Sequence, residues 1–303
     1  MTANLNQHYV KQWANKIDLL AQQMQSKLQR TVDYGSDHYG EMASPVDQFG
    51  QIEATENTER FAPMPRTDAP ADRRWIVPRN WDINQLVDKN DLMRILNDPK
   101  DKLSKAAIAG LNRRKDLTIL EALGGTNMTG KDGTTSTALP ATQVVGVSTG
   151  GTATNLNVAK LRAAKRILMA NDVDVEGEEL YFVTNASGHD SLLAEVQATS
   201  KDYNEARDGK PVLVEGMIAR FMGFNLIHCE RTQNGTDDAA GTSNSNFAYA
   251  KSGVYLGAWK DINVDIRERG DLRAIPYQIY TAMTVGASRL DEKKVVRVWA
   301  RQA

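Results

Sequence analysis

Residues 60–78, RFAPMPRTDAPADRRWIVP, constrain the fold more than any other part of the sequence, because four prolines exclude a helix there. The stretch has almost no aliphatic side chains before Trp75, so it contributes little to a core. Around its end, alternate residues are apolar, which predicts a strand, and Pro78 places that strand at a sheet edge. The predicted apolar face consists of Trp75, Val77, Trp81 and Ile83.

The residues on the N-terminal side of this stretch complete a predicted hairpin. Between residues 45 and 60 the alternation is weaker, but Val46, Ile52 and Ala54 share a parity. The two sides together predict a long hairpin within residues 45–90, with the segment RTDAPADR, residues 66–73, at its tip. A lone two-stranded hairpin is marginal in water. We therefore expect a neighbouring subunit to supply the surface that orders it.

Composition excludes several classes of protein. The 303 residues allow one large domain or two modest ones, and 41% hydrophobic with 25% charged residues is ordinary for a folded chain. The net charge of −1 gives no overall attraction to nucleic acid or to an anionic membrane. The single cysteine, Cys229, excludes an intramolecular disulfide, and its apolar surroundings predict a buried thiol. We find no secretory signal and no run of about 18 apolar residues, and expect a soluble protein made in the cytosol.

Two long helices are predicted in the first half of the chain. Residues 5–30 carry apolar side chains at helical spacing, which indicates an amphipathic helix, with a short coiled coil as an alternative. A second helix is predicted from Pro99 to Leu123, since Asp98 suits the N-cap and Gly124-Gly125 the C-terminal stop. At about 40 Å it is long for a compact domain and suits a strut. Its predicted buried face consists of Ile108, Leu111, Ile119 and Ala122, with the stem of Lys115 between them.

The rest of the chain changes character near residue 212. Before it, strands are predicted at 142–147 and 178–184, with helices over about 154–170 and 187–196, which is an α/β pattern. After it, the pattern becomes one of long strands, and Ile262, Val264 and Ile266 alternate with polar residues as in a half-buried antiparallel strand. The fold class is therefore α+β.

One motif is typical of an enzyme. Gly146, Ser148 and Gly150 match the G-x-S-x-G nucleophile elbow after a predicted strand. Candidate partners follow in the order that such hydrolases use, namely Asp172 or Asp174 and then His189 or His228. An elbow, however, needs a helix to begin directly after the serine, and here TGGTAT intervenes before a predicted N-cap at Thr154 or Asn155. A glycine-flanked turn explains the motif better.

No other pattern predicts a catalytic, cofactor or metal site. The segment NDVDVEGEEL resembles a calcium loop, but its twelfth position is Val183 rather than a glutamate, so a solvated turn is expected. The four histidines have no metal-binding spacing, and no phosphate-binding loop or dinucleotide fingerprint is present.

Several segments in the same order resemble the major capsid protein of tailed bacteriophages, with its Hong Kong 97-type fold. VDKNDLMRILNDPKDKLSKAAIAGLNRRKDLTILEALGG is similar to the segment that enters the spine helix of that family, including an Arg-x-x-Asp, here Arg113 to Asp116. EELYFVTNASGHDSLL resembles the strand and helix of its axial domain. VEGMIARFMGFNLIHCER carries a G-x-I-x-x-x-x-G-F match, and FAYAKSGVYLGAWKDINVDI resembles the late return to the peripheral domain.

The resemblance implies a division of the chain. It places an N-terminal arm at 1–39 and an extended E-loop hairpin at 40–85. It places a peripheral domain with the spine helix at 86–143 and 260–290, and an axial domain at 144–259 and 291–303. The inter-subunit contacts that we expect on the arm and hairpin are Trp13, Ile17, Phe61, Arg66, Arg73, Arg74, Trp75 and Trp81.

The resemblance also implies a function. Hexamers and pentamers of the chain would close into an icosahedral phage head around double-stranded DNA, with a portal and possible decoration proteins as partners. Because only some 40 residues precede the hairpin, we expect a separate scaffolding protein. Contact with packaged DNA should be weak and non-specific, and no cofactor is expected. The two alternatives are a serine hydrolase that uses Ser148 and a non-viral protein-binding scaffold.

Overall fold

The computed structural model describes residues 19–36, 38–40, 44–56, 66–88, 100–151, 154–195, 218–232, 234–235, 243–273 and 275–301. Within these ranges the chain forms three α-helices and fifteen strands in three sheets. The mixture of helices with mainly antiparallel sheets confirms the predicted α+β class.

The first sheet, called the long sheet below, contains the longest strands. Its order is β1 (Asp33–Gly35), β13 (Val254–Glu268), β14 (Tyr277–Arg289) and β4 (Arg79–Val87). The strands β13 and β14 are antiparallel neighbours, with two register irregularities between Ala258 and Asn263. In the described part of the chain, β4 pairs only with β14 and forms the edge, as Pro78 predicts.

The second sheet has seven strands of mixed direction. Its order is β7 (Val144–Val145), β15 (Val295–Arg301), β12 (Ser243–Ala250), β8 (Leu180–Thr184), β10 (Phe224–His228) and β9 (Arg220–Phe221), and β11 (Asn234–Gly235) pairs with β12. Helices α2 (Val158–Ala170) and α3 (Ala186–Ala194) complete this part. One core cluster fills the space between this sheet and the helices, with Leu161, Phe182 and Val298 fully buried. The other face of the sheet contributes Phe247 and Tyr249 to a second core, shared with the long sheet.

The third sheet, called the loop sheet, contains the predicted hairpin, which keeps the name E-loop hairpin below. It consists of β2 (Ser44–Phe49), β3 (Ala71–Ile76), β5 (Asn127–Thr129) and β6 (Thr135–Thr137), in that order. The antiparallel pairing of β2 with β3 confirms the predicted hairpin. The predicted tip RTDAPADR is wrong at its C-terminal end, because residues 71–73 belong to β3.

Helix α1 (Lys100–Gly124) confirms the predicted spine helix within one residue at the C-terminal end. Its predicted N-cap lies outside the described residues. The helix ends where Gly125 N–H bonds the carbonyl of Glu121. Burial is not confined to the predicted stripe, since Asp116, Leu120 and Leu123 are also fully buried. The reason is that α1 contacts the long sheet, the seven-stranded sheet and the N-terminal segment, so that several of its faces are covered.

The predicted amphipathic helix over residues 5–30 is wrong for the part that the structure describes. From residue 19 to Leu28 the chain is irregular, and only Gln29–Thr31 form a short 3-10 turn. Leu20 is 90% exposed although it belongs to the predicted apolar face. Side chains of α1 bind this backbone directly and so compete with helical hydrogen bonds. Residues 1–18 lie outside the described part.

The predicted strand around Pro78 is divided between two sheets. Strand β3 ends at Ile76 in the loop sheet, and β4 begins at Arg79 in the long sheet. In β3 the buried residues are Arg74 and Ile76 rather than the predicted Trp75 and Val77. The predicted parity is correct in β4, where Trp81 and Ile83 pack against the core. The break at Val77-Pro78 lets each half follow its own sheet.

Three further local predictions concern the start of helix α2, the segment around Asp174 and the burial of Cys229. Helix α2 begins at Val158 with Asn157 as its N-cap, later than the predicted Thr154 or Asn155. The Asp174 carboxylate accepts the N–H groups of Glu176 and Gly177, which confirms a turn there. Cys229 is fully buried, and burial raises the pKa of its thiol.

Candidate assembly surface

The E-loop hairpin is fixed at its root and exposed further out. Strands β2 and β3 pair from Ser44–Ile76 to Phe49–Ala71, and Gly50 N–H donates to the Pro70 carbonyl beyond them. Among the residues that the structure describes, β3 also pairs with β5 only at Arg74 and Trp75. The hairpin therefore gains a third strand only at its base.

Arg74 provides the strongest contact of the root. Its Nη1 and Nη2 atoms donate to Oε1 and Oε2 of Glu292, at 2.9 and 2.7 Å. The two side chains are only 9% and 14% exposed, and Glu292 lies just before β15. A two-pronged guanidinium–carboxylate pair fixes direction as well as distance. It therefore holds the base of the hairpin against the C-terminal part of the chain.

Trp75 and the turn between β5 and β6 form a second contact of the root. The indole Nε1 donates to the Gly130 carbonyl at 2.7 Å. Gly133 lies against the indole with a φ of 66°, and a Cβ there would come within 3.0–3.1 Å of the ring. Gly286 in β14 allows a similarly close approach, since a Cβ would lie 2.4 Å from the Val77 carbonyl oxygen. Both glycines let the hairpin base sit close to the body of the molecule.

Trp81 also packs within its own chain. The guanidinium of Arg114 lies 3.8 Å from the centre of its ring, which is a cation–π contact. Glu121 then bonds both Arg114 and Arg79, at 2.9 Å each. These contacts attach β4 to α1. Arg74, Trp75 and Trp81, three of the predicted inter-subunit residues, thus already have partners in their own chain.

The outer part of the hairpin presents different side chains. Phe49 is 78% exposed and Ile52 is 58% exposed, although both are large and apolar. Arg73 forms an exposed pair with Asp47 across the two strands, and this pair lowers the pKa of the Asp47 carboxyl. Arg66 forms an exposed pair with Asp68. The structure thus brings Arg66 and Arg73 to the exposed surface of the hairpin, while Trp13, Ile17 and Phe61 lie outside the described residues.

A second candidate element is the segment of residues 22–29, called the arm segment below, which lies along α1. The fully buried Asp116 carboxylate accepts hydrogen bonds from Ser26 Oγ and Gln23 Nε2 and from the backbone N–H groups of Lys27 and Leu28. A buried carboxylate needs several donors to offset its lost hydration, and here four converge on it.

The residues around Asp116 extend the same contact. Arg113 Nη1 donates to the Gln22 side chain and to the Gln23 carbonyl, and Asn112 donates to the Met24 carbonyl. Lys115, also buried, donates to Gln29 Oε1. The sequence NRRKD therefore binds the backbone of the arm segment in an irregular conformation. The Arg113–Asp116 pair was visible in the sequence, but its partners, some 90 residues earlier in the chain, were not.

Lys115 joins the arm segment to the long sheet as well. Its Nζ lies 3.1 Å from Asp261 Oδ1 in β13. Although burial alone would raise the pKa of Asp261, the Ile262 N–H and the Lys115 ammonium hold it below its ordinary value. A single helix thus binds the N-terminal segment on one side and the long sheet on the other.

The enzyme-like motif lies in a turn. Ser148 is exposed, and its carbonyl accepts the Gly151 N–H. Helix α2 begins ten residues later at Val158, so Ser148 does not occupy a strand-to-helix elbow. Among the residues that the structure describes, no three acidic, histidine or cysteine side chains are grouped as a metal site requires. In the same residues, no helix has the length and apolar composition needed to cross a bilayer.

Comparison with known proteins agrees with this architecture. The family model described as phage capsid protein matches residues 5–300. A search among curated proteins finds no significant match.

Solved structures of phage capsids are similar over nearly the whole chain. The capsid of cyanophage Pam1 has a TM-score of 0.74 at 14% identity and covers 97% of both chains. The acid-stable capsid of Helicobacter pylori bacteriophage KHP30 has a TM-score of 0.73 at 12% identity, covering 99% of this chain and 97% of the other. The capsid of cyanophage P-SCSP1u has a TM-score of 0.71 at 12% identity, covering 99% and 95%. Together with the family match, the hairpin, spine helix and sheets show that the chain belongs to the phage capsid protein family, as a major capsid protein with the Hong Kong 97-type fold.

Proposed function

We propose that hexamers and pentamers of this chain close into an icosahedral phage head around double-stranded DNA, and that the E-loop hairpin of each copy lies on a neighbouring copy. The observation that carries the proposal is the contrast along the hairpin. Its base is bonded inside the chain through Arg74 and Trp75, whereas Phe49 and Ile52 remain exposed. Large apolar side chains on a protruding element are typical of a protein interface.

The predicted inter-subunit residues that the structure describes have two different roles in this proposal. Arg66 and Arg73 lie on the exposed hairpin and suit contacts with a neighbour. Arg74, Trp75 and Trp81 would act by holding the hairpin and β4 in place. The division into arm, E-loop, peripheral domain at 86–143 and 260–290, and axial domain at 144–259 and 291–303 belongs to the same proposal.

The proposed partners follow from the role as a head protein. They are other copies of the chain, a separate scaffolding protein, a portal and possible decoration proteins. Packaged DNA would be touched weakly, since the net charge of −1 gives little attraction to phosphates. Assembly would take place in the host cytoplasm, and the role is structural rather than catalytic.

Removal of the hairpin tip tests the proposal. Residues 51–69 are replaced by a two-residue turn, which keeps the paired strands β2 and β3 and their buried contacts. The variant and the parent chain are each co-expressed with the neighbouring phage genes and imaged by electron microscopy. We expect closed heads from the parent, and a folded variant, with unchanged circular dichroism, that forms no heads.

A matched pair of substitutions separates contact from folding. Phe49→Ser with Ile52→Ser removes the exposed apolar side chains, and Arg66→Ser with Asp68→Ser removes an exposed ion pair. The first change should abolish closed heads and the second should only reduce their yield. Normal heads from both the tip deletion and the Phe49 and Ile52 variant would show that the hairpin is not an inter-subunit element.

A further inference from the structure

A chain of polar side chains connects the arm segment to the seven-stranded sheet. Lys27 Nζ donates to the His228 carbonyl at 2.9 Å and lies 3.3 Å from Nδ1 of the same residue. On the other side of the ring, His228 Nε2 lies 2.5 Å from Glu230 Oε1. Glu230 in turn accepts the Ala186 N–H at the start of α3. His228 is therefore placed between one cation and one carboxylate.

The partners assign the proton of this imidazole. A lysine ammonium has only donors, so the His228 Nδ1 that faces Lys27 must accept. A carboxylate has only acceptors, so Nε2 must carry the hydrogen that faces Glu230. With these partners, the neutral ring is the Nε2–H tautomer. A second proton at Nδ1 would remove the lone pair that binds Lys27 and set two positive groups 3.3 Å apart.

We propose that His228 is a proton-sensitive contact that fixes the arm segment to β10 when neutral and loosens it when protonated. The side chain is 32% exposed, so protons reach it from solvent. Histidine is also the side chain whose charge changes between about pH 5 and 8.

The groups around His228 determine how its protonation would affect the arm segment. Lys27 faces it from the arm segment, Glu230 from the end of β10, and His189 from α3. Asp116 of α1 accepts a hydrogen bond from the backbone N–H of Lys27. The residue whose ammonium faces His228 is therefore also the one that α1 holds in place. Lys27 is the cation that a protonated ring would repel, whereas the Glu230 carboxylate would stay paired with Nε2. The response is therefore expected in the arm segment rather than at the start of α3.

Hydrogen exchange of the unassembled full-length chain tests this inference. Exchange of peptides within residues 20–30 is measured at pH 7.5 and 5.5 and corrected for the intrinsic effect of pH. We expect exchange of the parent arm segment to be roughly fivefold faster at pH 5.5. His228→Asn keeps an acceptor near the Nδ1 position but does not titrate, and should show the same exchange at both values.

Two further variants make the result specific. Lys27→Met removes the displaced cation, so its arm segment should exchange faster than the parent at pH 7.5 and lose the pH dependence. His189→Asn removes the neighbouring imidazole and should retain the dependence of the arm segment. Equal exchange of the parent at both pH values, or an undiminished dependence in His228→Asn, would overturn the inference. Since no assembly is needed, the outcome is independent of the proposed role of the hairpin.

Discussion

Arg74 and Glu292 lie 218 positions apart and form a two-pronged ion pair with donor–acceptor distances of 2.9 and 2.7 Å. The pair joins the E-loop hairpin to the short turn before the last strand. Its neighbour Arg73, one residue earlier, forms a comparable pair with Asp47 in solvent. The hairpin thus contains a buried and an exposed version of the same interaction.

Loss of the buried pair should destabilise the protein. Arg74→Leu leaves the Glu292 carboxylate buried without its main partner, and we expect the free energy of unfolding to fall by about 3 kcal/mol. Urea denaturation measures this change, and the double variant with Glu292→Leu should recover part of it. Arg73→Leu is the control, and should leave the urea midpoint unchanged because its partner is exposed. Equal midpoints for both single variants would contradict the assignment of Arg74 as the anchor of the hairpin.

Asp116 should be essential for the order of the arm segment. Asp116→Asn keeps the shape of the side chain but replaces one acceptor oxygen by a donor, so that bonds to the N–H groups of Lys27 and Leu28 weaken. We expect a loss of about 3 kcal/mol in the free energy of unfolding and rapid amide exchange in residues 22–28. Asp101→Asn, on the exposed start of the same helix, is the control. Unchanged amide exchange of the arm segment in Asp116→Asn would show that Asp116 does not hold this segment in place.

Gly286 should not tolerate a side chain. A Cβ at this position meets the carbonyl oxygen of Val77 at 2.4 Å, and backbone cannot move aside as a flexible side chain does. We expect Gly286→Ala to lower the free energy of unfolding by about 2 kcal/mol. Gly270→Ala, where no atom lies within 4 Å, should change it by less than about 0.5 kcal/mol. Thermal denaturation of the two variants side by side measures the difference, and equal melting temperatures would contradict the close approach.

His189 should make stability depend on pH. Burial and then the charge of His228 lower its pKa, and its Nε2 accepts the Ile218 N–H at 3.0 Å. Because the folded pKa lies below the unfolded one, the unfolded chain binds more protons on acidification. The contribution is therefore present above the ordinary histidine pKa of about 6.5 and is lost as the pH falls below it.

The corresponding experiment compares urea midpoints between pH 7.5 and 5. His189→Gln keeps an acceptor for the Ile218 N–H but does not titrate, so its midpoint should fall less over this range than that of the parent. If the urea midpoint of His189→Gln fell as much as that of the parent between pH 7.5 and 5, His189 would not be the source of the pH dependence.

The sequence predicted those elements that local patterns determine. The spine helix follows from a helix-forming run closed by Gly124-Gly125, and the hairpin from prolines and alternation. The irregular arm segment was missed because its conformation is determined by Asp116 and Arg113, far away in the chain. Trp75 was placed on the wrong face because Arg74 is buried by Glu292, a partner that no local pattern indicates. The exposure of Phe49 depends on how β2 and β3 pair, and the weak alternation before residue 60 does not indicate that pairing.

The C-terminal end of α1 has a consequence for the order in which the chain becomes folded during synthesis. The carbonyls of Leu123 and Gly125 are bound by the fully buried Arg289, and that of Gly124 by Arg297. Strand β15, which carries Arg297, lies inside the seven-stranded sheet between β7 and β12. A ribosome delivers these residues more than 160 positions after the helix that they complete. Until then the helix end lacks these partners, and Arg74 lacks Glu292. A nascent or truncated copy therefore lacks the buried ion pair that holds the base of the hairpin against the C-terminal part of the chain.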